Sequence, residues 1–197
     1  MPPIVKHNMI LLGAAGRNSG KTLLACKLIE RYSEQFPIIA VKVTTIHRKG
    51  ETCPRGGEGC GTCASLQGAY CVTEETSRDL KKDTSRLLAS GAERVYWLRA
   101  VKDHLKEGLE ALIRLIPEEI ALVCESNSLR SVVEPGVFLI VKARNQDELK
   151  PSARRVLKSA DRVVIYDPED MGDSLFNITF EDIRFMHNRW LLSEKAK

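Results

Sequence analysis

Long apolar runs are missing from this chain. No stretch of its 197 residues approaches bilayer-spanning length, and the opening Met1-Pro-Pro-Ile-Val-Lys-His lacks the apolar core of a secretory leader. The expectation is a cytosolic protein that engages no membrane. A strong excess of either charge is missing too, since 30 Lys and Arg against 26 Asp and Glu leave a formal +4. That mild basicity suits phosphate-bearing ligands but lacks the concentrated basic face that nucleic acid requires, so nucleic acid is not an expected partner. Internal repeats and low-complexity tracts are also absent, so neither a repeat array nor a biased tail is expected. What is left is a chain of ordinary globular composition, 43% hydrophobic and 28% charged, long enough for one α/β domain with a full core.

The stretch Leu11-Leu12-Gly13-Ala14-Ala15-Gly16-Arg17-Asn18-Ser19-Gly20-Lys21-Thr22 carries the most chemistry. It follows the apolar run Met9 to Leu12 and leads into Leu24, Ala25, Leu28 and Ile29 at helical spacing, which reads as strand, glycine-rich turn and helix. A Gly-Lys-Thr ending in that context reads as a phosphate-binding P-loop, because successive backbone N–H groups and the helix start hold negative charge with fixed dipoles. Gly16, Arg17, Asn18, Ser19 and Gly20 would cradle the phosphates, Lys21 would place a cation on the β- and γ-phosphates, and Thr22 would ligate Mg²⁺. The first glycine of the Gly-x-x-x-x-Gly-Lys-Ser/Thr pattern falls on Ala15, a small residue that still lets the backbone approach phosphate closely.

Two further apolar strands supply partners for that turn. The run Phe36 to Thr44 reads as a buried parallel strand, with Lys42, Thr44, Thr45 and His47 at or beyond its carboxyl end, where open α/β sheets bind ligands. Ile120 to Glu125 has the form of a strand that sets an acid beside the phosphate turn, so Glu125 joins Lys21 and Thr22 as a catalytic and Mg²⁺-placing candidate. Asn127 and Ser128 would lie on the loop facing the γ-phosphate.

Residues 48 to 73 break the hydrophobic pattern and hold Cys53, Cys60, Cys63 and Cys71 in a C-x6-C-x2-C-x7-C arrangement. Four thiols so spaced have the count a tetrahedral thiolate site needs, and coordination would supply the folding energy that such a polar inserted loop lacks. The spacing fits neither the paired-knuckle zinc ribbons nor the ferredoxin runs, so both an iron–sulfur cluster and Zn²⁺ stay open. His47 is an alternative fourth ligand. Cys26 and Cys124 lie in apolar segments and read as small hydrophobes. Beyond the loop, Ser77 to Ala89 reads as a helix with Leu80, Leu87 and Leu88 inward, carrying Asp83 and Arg86 near the candidate site. Glu93 to Arg99 reads as a strand, and a helix capped by Asp103 runs to Pro117. Strands at Gly136 to Val141 and Asp161 to Tyr166 flank a helix around Ala153 to Ala160, and the tail reads as an edge strand with a short aromatic element.

Taken together, Leu11 to Thr22, Ala40-Val-Lys-Val, the Lys81 to Arg86 and Gly91-Ala-Glu-Arg-Val run, and Leu122-Val-Cys-Glu125 resemble the MobB type of P-loop protein, the nucleotide-binding accessory protein of molybdopterin-guanine dinucleotide biosynthesis. The likeness covers about the first two-thirds of the chain. It implies a three-layer P-loop NTPase fold with a mostly parallel, doubly wound sheet, GTP or ATP with Mg²⁺, a homodimer, and an accessory role toward a metallocofactor-assembly protein or target metalloenzyme. This chain differs in its cysteine loop and in the Ser-Asn-Ser that follows Glu125. The expected activity is nucleotide hydrolysis coupled to a thiolate-bound metal. The alternatives are a small-molecule kinase with a zinc-stiffened lid and a nucleotide-gated adaptor. No clear Asn-Lys-x-Asp base-reading motif follows Val141, where Lys142-Ala-Arg-Asn stands, so guanine and adenine both stay open.

Overall fold

The computed structural model describes residues 2–46, 66–170, 176–178 and 180–193. In chain order the elements are β1 (Ile4–Ala14), α1 (Lys21–Tyr32), β2 (Ile38–Ile46), β3 (Tyr70–Glu74), α2 (Asp83–Ala89), β4 (Arg94–Val101), α3 (Leu105–Ile113), β5 (Ala121–Glu125), β6 (Val133–Ala143), α4 (Pro151–Val156) and β7 (Arg162–Tyr166), then β8 (Ile183–Met186) and β9 (Arg189–Leu192). Seven strands form one sheet in the order β3-β4-β2-β5-β1-β6-β7. All pairings are parallel except β3 against β4 at one edge. The central strand β1 buries Met9, Ile10, Leu11 and Leu12 completely, as a strand covered on both faces must.

The two helical layers follow from the period-two alternation of the strands. Ile10, Leu12, Ala40, Val95 and Leu139 face the side covered by α1 and α2, where Leu24, Leu28, Leu87 and Leu88 pack. Met9, Leu11, Val41, Leu98 and Ile140 face the opposite side, covered by Leu105, Leu109 and Leu112 of α3 and by Val156 after α4 begins. The result is an α/β molecule with helices on both faces of a mostly parallel sheet. Among the described residues no helix is long and apolar enough to cross a membrane.

Several element boundaries differ from the sequence expectation, each for a local reason. The helix expected from Ser77 begins only at Asp83. Ahead of it, Ser77 Oγ accepts the Asp79 N–H and Asp79 Oδ1 accepts the Lys81 N–H, side-chain turns that compete with helical hydrogen bonds. Leu80, expected inward, therefore sits at a positive φ of 62° and is 61% exposed. Asp103 lies in a 3-10 turn spanning Lys102–His104 rather than capping α3, which ends at Ile113, short of Pro117. Tyr70–Glu74, expected inside the cysteine loop, is an edge strand whose Cys71 sits opposite Arg99 of β4. Among the described residues the tail adds no edge strand to the main sheet. Phe176 makes a single bridge to Tyr166, and β8 and β9 form a separate hairpin. His187 and Asn188 both have positive φ at its tip, the geometry a two-residue turn needs to match strand twist. The hairpin drives Trp190, fully buried, against Tyr32 and Phe36 beside α1.

Candidate functional site

The turn from β1 to α1 is held from both sides of the sheet. Ala15 N–H donates to Val141 O of β6 (2.8 Å), Lys150 N–H donates to Ala15 O (2.9 Å), and Ser126 N–H after β5 donates to Leu12 O (3.0 Å). Asn127 clamps the last residue of β1 twice, accepting the Ala14 N–H at Oδ1 (2.7 Å) and donating from Nδ2 to Ala14 O (2.9 Å). Its side chain is thus buried structure, a correction to its expected place on a loop facing phosphate. Gly20 ends the turn at φ 79°, and a Cβ there would lie 2.6 Å from the Tyr166 ring, so both the backbone conformation and the space call for glycine. Its carbonyl accepts the Leu24 N–H at 2.9 Å, which makes Lys21 and Thr22 the first two residues of α1.

These residues line a cleft of about 380 Å³, inside the ordinary range for a small-ligand site. Gly16, Asn18, Ser19, Gly20, Lys21 and Thr22 come from the turn, and Asp83 and Arg86 enter from α2. Arg17 is the exposed rim of the same turn. Of the lining residues, Lys21 carries its Nζ to 3.8 Å from Glu125 Oε2. Glu125 is only 1% exposed, and neither of its carboxylate oxygens has a hydrogen-bond partner. Register explains the meeting, because Glu125 sits opposite Leu12 of β1 on one side and Lys42 of β2 on the other. Lys42 in turn pairs with Asp83 at the start of α2. Burial pushes the Asp83 carboxyl up, but the hydrogen bond and charge of Lys42, with Lys21 and Arg86 nearby, outweigh it and hold the group below its ordinary value.

Three residues around the β1–α1 turn, of which Lys150 and Tyr166 line the cleft, had no sequence signal strong enough to single them out. Gln146 Oε1 accepts a hydrogen bond from Ser19 Oγ (2.9 Å), Lys150 Nζ donates to Gly16 O (3.4 Å), and Tyr166 packs on Gly20. Gln146 and Lys150 follow β6 and Tyr166 is the last residue of β7, at the carboxyl ends where a parallel sheet gathers its loops. The Gln146 amide lies so close to Gly16 that a Cβ there would come within 1.7 Å of Nε2.

Of the other expected site residues, Thr44 and Thr45 lie among the last residues of β2: Thr44 accepts the Trp97 indole N–H at 2.9 Å, and Thr45 shares a hydrogen bond with Ser128. Ser128 therefore ties β2 to the loop after β5. His47, Cys53, Cys60 and Cys63 lie outside the described residues, as does residue range 48–65 of the cysteine loop. Cys71 is half-buried on β3, where Arg99 Nη2 donates to its Sγ at 3.5 Å. Cys26 and Cys124 are buried, and burial pushes both thiols up, away from the reactive thiolate.

Among the described residues no three His, Cys, Asp or Glu side chains cluster as a protein-only metal site. The donor set of the cleft fits a different arrangement, in which a divalent cation takes part of its shell from a bound phosphate. Thr22 lines the cleft and offers a hydroxyl, and Glu125, 3.8 Å from the cleft residue Lys21, offers two buried carboxyl oxygens without hydrogen-bond partners. Chemically, the cleft presents a helix start and cations to an anionic ligand. No family model, curated protein or solved structure matches this chain, which leaves the geometry of the cleft as the ground for a functional reading.

Proposed function

We propose that this chain binds GTP or ATP with Mg²⁺ in the β1–α1 cleft and hydrolyses it. The observation that carries the reading is the buried, hydrogen-bond-free Glu125 carboxylate set 3.8 Å from Lys21 at the start of α1. A purely structural pair of this kind is poorly compensated, because two ions leave water for a single long contact. A site that awaits a cation and a polyphosphate accounts for both. In this reading the N–H groups of Gly16 to Gly20 bind phosphate oxygens, Lys21 neutralises charge on the β- and γ-phosphates, and Lys42 approaches the γ-phosphate from β2. Thr22 and Glu125 would hold Mg²⁺, which lowers the barrier by drawing charge from the transferring phosphoryl group.

The thiolate centre rests on the spacing of Cys53, Cys60, Cys63 and Cys71. Cys71 begins its contribution from β3, two strands from Lys42. In this reading a metal held there, iron–sulfur or zinc, is coupled to the nucleotide state. An accessory role in molybdenum-cofactor or other metallocofactor assembly, with a homodimer or a target metalloenzyme as partner, follows from the MobB resemblance.

Titration with fluorescent GTP and ATP analogues tests the nucleotide claim. Binding should require Mg²⁺ and should weaken at least about tenfold in Lys21→Ala, the loss expected for one charge-assisted phosphate contact. Full binding by a Lys21→Ala, Thr22→Ala double variant would sink the reading. Anaerobic purification with iron, sulfide and zinc analysis, repeated on Cys60→Ser, tests the metal claim; metal content unchanged by that substitution would remove the loop from it.

A further inference from the structure

Among the described residues that line the β1–α1 cleft, Asp83 alone is acidic. It is the first residue of α2, and its carboxylate opposes phosphate in the same space where Lys21 attracts it. The phosphate reading gives it no task. Its position is set by Lys42 of β2, which pairs with the Asp83 carboxylate by charge and by hydrogen bond. Lys42 stands beside Glu125 in the parallel register, and Glu125 lies 3.8 Å from Lys21. Asp83 thus joins the wall of the cleft to the lysine that the nucleotide reading sends to the γ-phosphate.

One ammonium cannot serve two anions equally. The Lys42 side chain is 18% exposed, so water screens little of the repulsion between a carboxylate and a phosphate brought together upon it. A terminal phosphate carries up to about two negative charges, against one for the carboxylate, and offers three acceptor oxygens. On charge alone the phosphate is the stronger partner. A released Asp83 carboxylate has another cation on its own helix, because Arg86 stands one turn on, at the spacing where helical side chains meet, and lines the same cleft. Burial disfavours the Asp83 carboxylate, and among the cations that outweigh burial, after Lys42 and Lys21, is Arg86.

We infer that Asp83 and the γ-phosphate are rivals for Lys42, and that Asp83 thereby sets how far the cleft prefers a nucleoside triphosphate to a diphosphate, an inference that rests on the nucleotide reading of the cleft. A diphosphate ends at Lys21 and leaves the pair of Lys42 with Asp83 whole. A triphosphate reaches Lys42 only by breaking that pair, so the loss of the old contact offsets part of the new one. Asp83 therefore holds the triphosphate preference below what Lys42 alone would give. After hydrolysis frees the phosphate, the carboxylate returns to Lys42 and opposes re-entry. The exchange that weakens triphosphate binding also favours release of the product.

Equilibrium titration of the full chain with fluorescent diphosphate and non-hydrolysable triphosphate analogues of guanosine and adenosine, in the presence of Mg²⁺, tests this. Asp83→Asn keeps the size of the side chain and removes its charge. It should tighten triphosphate binding about tenfold, the scale of one charge-assisted contact, and change diphosphate binding by less than about twofold. Asp83→Ala, which removes the hydrogen bond as well, should give the same selective gain. Lys42→Gln should weaken triphosphate binding alone, and adding Asp83→Asn to it should bring no further gain, because the contested ammonium is gone. An equal gain for both nucleotides would mean that Asp83 acts only as a negative charge on the cleft wall, and it overturns the rivalry. Triphosphate binding that is unchanged or weaker in both Asp83 variants also overturns it, as does a gain that persists beside Lys42→Gln. Failure of the unaltered protein to bind either nucleotide strikes instead at the reading of the cleft.

Discussion

A carboxyl group that is 1% exposed and accepts no hydrogen bond is a burden on the fold. At Glu125 the Lys21 ammonium compensates only in part from 3.8 Å, because that lysine keeps access to water. Glu125→Gln removes the charge and leaves an amide, which is cheaper to bury. The substitution should raise the unfolding midpoint of the ligand-free protein by about 2–4 °C, corresponding to about 1 kcal/mol at this chain length, while abolishing Mg²⁺-dependence of nucleotide binding. Paired thermal melts and nucleotide titrations check both halves; a lowered midpoint would show that the carboxylate serves the fold. Asp83 behaves differently. Its folded-state affinity for protons is held below the ordinary value, so its contribution to stability is complete above the unfolded carboxyl range and is lost as pH falls through the folded value. Asp83→Asn should therefore narrow the gap to the unaltered protein as denaturation is measured from neutral toward acid pH. Because the side chain is 42% exposed, the gap at neutral pH should be small.

Among the elements, the β8–β9 hairpin contributes packing that its length would not suggest. Trp190 is fully buried, edge-on to Tyr32 at 5.5 Å, and within 5.1 Å of Phe185. The Tyr32 hydroxyl bonds the carbonyls of Phe180 and Ile183, so the end of α1 is tied to the hairpin by both apolar and polar contacts. Trp190→Ala should cost about 3–5 kcal/mol, the usual range for emptying a large aromatic from a core. Urea denaturation measures it, and a loss under about 1 kcal/mol would mean that the hairpin packs loosely. Short two-stranded hairpins are marginal alone, so most of this stability belongs to the contact with α1 and not to the hairpin itself.

Over the whole molecule, the features legible in the sequence were those with a strong period or a demanding backbone. The apolar runs at Met9, Ile38, Ala121 and Val137 all became parallel strands, and the Gly20-Lys21-Thr22 ending became a helix start. The meeting of Lys21 with Glu125 was also legible, because a strand ending in an acid and a strand leading to a glycine turn need only be neighbours. Local competition was harder to see. Ser77 and Asp79 diverted a helical pattern into turns, and Asn127 spent its amide on the Ala14 backbone. Gln146, Lys150 and Tyr166 were invisible for another reason: they reach the β1–α1 turn only through the order of β6 and β7 beside β1, which composition does not encode.

The α1 helix is a strut about 18 Å long, from its twelve residues at 1.5 Å each. One end carries Lys21, and the other is gripped at Tyr32 by the carboxyl-terminal hairpin. A strut held at its far end transmits any offset there to its near end. The ammonium that faces Glu125 is therefore aligned in part by aromatic residues more than 150 positions later in the chain. Drift in those tail residues would be filtered by the tolerance of the cleft at the start of α1, although none of them lines it.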